Sequence, residues 1–142
     1  MTTEQLADRL HSVAIHLLRR VRHQDDASGL TAPKLSALSV LVFGGPRTLG
    51  ALAAAEQVRP PTMSALVAQL EREGLVTRRR GSADAREVLV EPTAQAERLL
   101  REGRRRRTAW LAQRLVGLPD DDRAALERAA ELLEAVVRAP DG

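Results

Sequence analysis

A change of hydrophobic period is the feature that most limits what this chain can become. From Thr3 to Gly74 the apolar residues recur at steps of three and four, the spacing of one helix face. Beyond Gly74 the pattern shifts to two short runs, Leu75-Val76-Thr77-Arg78 and Glu87-Val88-Leu89-Val90, which read as strands. From Thr93 the helical spacing returns. The expected fold is mainly α with a small β-hairpin.

The helical part divides at capping and breaking residues. Residues 3–22 carry Leu6, Leu10, Val13, Leu17 and Val21 on one stripe, and Thr2 with Gln5 has capping-box spacing. His23 to Gly29 reads as a polar loop. Thr31 is expected to cap a second helix striped by Leu35, Leu38, Leu41 and Val42 and ended by Gly44-Gly45-Pro46. Thr48 caps a short alanine-rich helix over 49–56. Pro60-Pro61 open a fourth, to about Glu73, with Met63, Leu66, Val67 and Leu70 inward and Gly74 as its stop. Pro92-Thr93 begin a long helix to about Val116. Leu118-Pro119 break it, and Asp120 to Asp122 favour the start of a last helix over 122–138, striped by Leu126, Ala129, Leu133, Val136 and Val137.

Charge adds direction. Of 22 basic residues only Lys34 is a lysine, and the formal net charge is +3. Residues 1–58 sum to +1, residues 59–107 to +5 and residues 108–142 to −3. A polyanion-facing middle flanked by neutral or acidic parts follows. The chain has no cysteine, so a disulfide framework, a thiolate metal site and thiol redox chemistry are excluded. At 142 residues a single domain is expected. No apolar run approaches the ~18–20 residues of a membrane span, and the N-terminus does not read as a secretory signal. A cytoplasmic protein without a membrane partner is expected. No catalytic triad, glycine-rich phosphate loop or metal cluster is visible, so neither enzyme activity nor a cofactor is expected.

The order of elements then carries meaning. Thr48 to Gly74 is two helices joined by a tight turn, a helix-turn-helix layout whose second helix suits a DNA major groove. The hairpin that follows bears Arg78, Arg79, Arg80 and Arg86 and reads as a basic wing.

Leu70-Glu71-Arg72-Glu73-Gly74-Leu75-Val76-Thr77-Arg78 resembles the junction between recognition helix and wing in MarR-family transcriptional regulators. Asp84-Ala85-Arg86 is similar to that family's D-x-R wing motif, and Val88 to Ala96 to its V-x-x-x-x-T-x-x-G stretch. Ala96 stands where the family commonly has glycine, and alanine is the better helix former. The resemblance implies a winged helix-turn-helix core over 30–92 within one domain, 1–142, with dimerisation helices at 1–25 and 93–142. It implies a homodimer on a palindromic operator of double-stranded DNA, acting as a sequence-specific regulator, and a repressor in the first reading.

Candidate DNA contacts on the recognition helix are Pro61, Thr62, Ser64, Ala65, Gln69 and Arg72, with Arg59 at its N-cap and Arg47 before the short helix. Gln69 suits adenine, whereas Ala65 and Ala68 offer no hydrogen bond. Arg78, Arg79, Arg80 and Arg86 are the wing set, and Asp84 is expected to orient an arginine there. Candidate dimer residues are Leu6, Leu10, Val13, Leu111, Leu115, Leu126, Leu133, Val136 and Val137. A small aromatic or lipophilic effector is implied by the resemblance, with His16, Leu38, Phe43, Arg107 and Trp110 as pocket residues. Arg104 to Arg107 cover about 300° of a helix, so they cannot share one direction. Pairing with Asp120 to Asp122 across a dimer, solvated charge and an anionic ligand all stay open for them. His16 and His23 share a face but lack supporting ligands, so no metal is expected. A DNA-compacting protein of low sequence preference, without an effector, is the alternative function.

Overall fold

In a computed structural model, residues 1–81 and 86–141 are described. Among them six α-helices and three short strands follow in the order α1 (Thr3–Arg22), α2 (Ala32–Gly44), β1 (Arg47–Thr48), α3 (Leu49–Ala55), α4 (Pro60–Arg72), β2 (Val76–Arg80), β3 (Val88–Pro92), α5 (Ala94–Leu115) and α6 (Asp120–Arg138). The expected class, mainly α with a small β wing, is the one found. The chain divides into two compact units, residues 1–107 and 108–142, with the boundary inside α5.

The first unit holds the core. Ala37, Leu38 and Leu41 of α2 meet Leu52 and Ala53 of α3, Met63, Val67 and Leu70 of α4, and Val76 and Val90 of the sheet. Leu75, Ala96 and Leu100 complete it. The stripes on α2 and α4 are those expected, although Leu35, Val42 and Leu66 are only partly buried. Ala96 is fully buried in this cluster, which accommodates its methyl group.

The caps follow the sequence closely. Thr2 and Gln5 form a reciprocal capping box, and the Thr48 hydroxyl accepts from the Ala51 amide at 3.1 Å. Thr31 makes no side-chain cap, a departure from expectation; its carbonyl accepts from the Leu35 amide instead. His23–Ser28, read as a loop, winds as a 3₁₀ helix closed by Gly29 at φ 72°.

The sheet is antiparallel in the order β1-β3-β2. The hairpin is therefore three-stranded at its base, because Arg47 and Thr48 pair with Val90 and Leu89. Strands β2 and β3 begin later than the sequence runs implied and are registered Val76 opposite Pro92 through Arg80 opposite Val88.

The second unit is the end of α5 and all of α6. An open groove of about 480 Å³ runs along it, lined by Ala112, Leu115, Val116, Leu118 and Leu126 among others. Neither α1 in the first unit nor α6 in the second contains a buried residue. Among the described residues, no single helix is long and apolar enough to cross a membrane.

Candidate nucleic-acid interface

The turn between α3 and α4 is made by backbone. The amides of Gln57 and Val58 donate to Ala54 and Ala53 at 3.1 and 3.0 Å, and Gln57 takes the left-handed conformation at φ 55°. Glu56 at this turn is fixed from outside, accepting from the Ser36 hydroxyl of α2 at 2.7 Å. The turn swings α4 so that Met63, Val67 and Leu70 are buried and the opposite face is open.

On that open face Pro61, Thr62, Ala65, Gln69 and Arg72 are exposed, and Ser64 and Ala68 are half-buried. Arg59 is the N-cap of α4, exposed, and its side chain does not cap. Pro60 and Pro61 occupy the first turn. Each lacks an amide proton, so this helix start offers fewer backbone donors to a phosphate than most.

Two of the wing arginines meet carboxylates of their own unit. Arg78 donates through Nη2 and Nε to the two carboxylate oxygens of Glu71, at 2.9 and 3.3 Å. These bonds hold the Glu71 carboxyl below the usual carboxylate range, and the carboxylate in turn raises Arg78. Arg79 donates to Glu91 of β3 at 2.7 Å. Arg79 faces Leu89 in the register, so Glu91 is its diagonal neighbour on the same face of the sheet. Arg80 and Arg86 are exposed at the two sides of the hairpin end. Asp84, expected to orient an arginine, lies outside the described residues.

Arg47 is half-buried, and its guanidinium lies across the end of α2: a Cβ built on Gly44 would stand 2.9 Å from its Nη2. The other end of α2 is tied to α4, since Lys34 Nζ pairs with the Glu73 carboxylate. Thr93 fastens α5 to the same region. Its hydroxyl donates to the Gly74 carbonyl at 2.8 Å and accepts from the Ala96 amide at 3.3 Å.

The residues expected in an effector pocket have diverse surroundings. In the first unit, Leu38 is fully buried in the core. Phe43 is about half exposed, with the Arg104 guanidinium 6.0 Å from its ring centre. His16 is exposed and its Nδ1 lies 2.7 Å from the Ser12 carbonyl. Arg107 pairs with Asp25 of the 3₁₀ helix, so one of the four arginines has a carboxylate partner within its own unit. In the second unit, Trp110 carries the Arg114 guanidinium 3.7 Å from its ring centre.

Glu71, Glu91 and Asp25 escaped the reading of the sequence, and Lys34, a weak phosphate candidate there, pairs with Glu73 instead. The first two had a usable signal. Glu71 and Arg78 flank the Gly74 turn, and Arg79 and Glu91 sit at diagonal positions of a hairpin. Asp25 had none, because its partner is 82 residues away.

Comparison with known proteins adds four likenesses. A family profile described as MarR family matches residues 30–88. The chain is 38% identical over 133 residues to an HTH-type transcriptional regulator of Mycobacterium tuberculosis, covering 94% of this chain and 93% of that one. A putative transcriptional regulator from Pseudomonas aeruginosa superposes with a TM-score of 0.80 at 31% identity, over 99% of this chain and 100% of the other. The fold alone is also that of NadR in complex with 4-hydroxyphenylacetate, with a TM-score of 0.65 and 20% identity over 99% and 96% of the two chains.

Proposed function

Because the chain belongs to the MarR family of winged helix-turn-helix, DNA-binding transcriptional regulators, we propose that it is a cytoplasmic repressor that binds a palindromic operator as a homodimer. The observation that carries this reading is the pairing, in one unit, of an open α4 face with an arginine-bearing hairpin directly after it. The α4 face enters the major groove, where Thr62, Ser64 and Gln69 reach base edges and Arg59 and Arg72 reach phosphates or guanine. Arg80 and Arg86 at the wing reach the minor groove or its phosphates. Residues 30–92 bind DNA, and 1–25 and 93–142 form the dimer.

The exposed apolar stripes support the dimer. Leu6, Leu10 and Val13 of α1, and Leu126, Leu133, Val136 and Val137 of α6, are all exposed in the single chain. Leu115 is exposed as well, and Leu111 is half-buried. A second copy of the chain covers them. Two-fold symmetry then spaces the recognition helices about one DNA turn, ~34–36 Å, apart. By analogy with NadR, a small aromatic or lipophilic molecule near His16, Phe43 and Arg107 of the first unit releases the operator by favouring one of two conformations.

Ala65 and Ala68 on the open face favour a second reading, DNA packing with little sequence preference and no effector. Selection of bound duplexes from a random pool separates the two. The repressor reading expects an enriched palindrome whose affinity exceeds that for random duplex by about 10³-fold or more at fixed salt. Equal affinity for all duplexes establishes the second reading instead. Loss of the enriched duplex on adding 4-hydroxyphenylacetate or another phenolic acid supports the effector.

A further inference from the structure

A carboxylate on a helix that enters a DNA groove repels phosphates, and Glu71 is such a group. It sits in the last turn of α4, and both of its oxygens are engaged by Arg78, across the turn at Gly74. We infer that Glu71 and Arg78 form a clamp that fixes the angle between recognition helix and wing, and that both are positioning residues rather than DNA contacts. This rests on the DNA-binding reading above.

The geometry closes a ring. The wing leaves α4 through a short turn in which Gly74 is left-handed at φ 75° and the Leu75 amide bonds to the Leu70 carbonyl at 2.9 Å. Backbone bonds fix the start of β2, but they leave the tilt of the strand to side chains. A two-point arginine–carboxylate contact has a fixed planar geometry, so it sets that tilt as well as holding it. On its other side α4 is tied by Glu73 to Lys34 of α2. The end of the recognition helix is thus braced to the wing through one carboxylate and to the helix bundle through the next.

Two groove contacts made together gain from a fixed separation, because the ordering is complete before DNA arrives. Arg79 is held across the hairpin by a single carboxylate oxygen of Glu91, at 2.7 Å. In this division of labour the base of the wing uses its arginines to hold shape, and Arg80 and Arg86 further out meet the nucleic acid.

The competing role for Arg78 is a phosphate contact, and the two roles differ in sign. Without a clamp, Glu71→Ala removes a repulsive charge and tightens binding. With it, the same change weakens binding. The test uses the full chain, a fluorescein-labelled duplex recovered from the random pool, and a salt series. Glu71→Ala and Arg78→Lys are each expected to weaken binding about three- to fivefold, as a partly exposed ion pair implies. The slope of log affinity against log salt is expected to stay unchanged. The exchanged pair Glu71→Arg with Arg78→Glu is expected to recover most of the loss.

Tighter or unchanged binding by Glu71→Ala overturns the clamp. So does a slope that falls by about one in Arg78→Ala, the mark of a lost phosphate contact. If the wild-type chain binds no duplex at all, the DNA-binding reading fails by itself. The clamp is then decided by amide hydrogen exchange in β2 and β3. Faster exchange in Glu71→Ala than in wild type upholds the brace, and equal rates overturn it.

Discussion

Arginine 78 and Arg79 show what residue type reveals and what it hides. In the sequence they are two of four guanidiniums on a short hairpin, and phosphate contact is the natural expectation. In the fold each meets a carboxylate on its own unit, Glu71 and Glu91. Type and spacing identify a basic wing, but the division between bracing and binding depends on which acids the turn and the strand register bring alongside. Gly74 is the opposite case, legible as a stop in the sequence and required by the backbone. At φ 75° a side chain is strained, although a Cβ there would meet only Gln95 Oε1, at 3.5 Å. Gly74→Ala is therefore expected to lose about 1–2 kcal/mol of stability from backbone conformation alone. Chemical denaturation measures this, and an unchanged midpoint would mean that the turn relaxes out of the left-handed region.

The elements were legible wherever a periodic stripe or a cap announced them. All six helices were anticipated, because each bears an apolar face of helical period or a recognisable start. β1 was not. Two residues cannot display a period, and Arg47-Thr48 is a strand only because β3 offers Val90 and Leu89 as partners. The junction into α5 shows how much a single hydroxyl can join. Thr93 caps its helix and, through the Gly74 carbonyl, pins that helix to the turn after α4. Thr93→Val keeps the branched shape and removes both bonds. It is expected to cost about 1–2 kcal/mol by denaturant titration. A loss near zero would show the cap to be replaceable by solvent.

The assembled molecule is defined as much by what its single chain leaves open as by its core. The aliphatic cluster of the first unit suffices for a winged helix, yet α1 and α6 bury nothing. Their stripes were plain in the sequence, and there only the family resemblance named a second copy as their cover. Val136 and Val137 are 70% and 84% exposed, so charge there is tolerated by the isolated fold. Val136→Glu with Val137→Glu is expected to give a folded monomer at concentrations where the wild type sediments as a dimer, with helicity by circular dichroism unchanged. A variant that remains dimeric would place the interface elsewhere. The chain has one tryptophan and no tyrosine, and Trp110 stands in the second unit, whereas α4 and the wing belong to the first. Indole emission is thus a built-in reporter carried by the second unit. A change of emission on adding operator therefore reports that the 108–142 unit senses the duplex, read with no label attached.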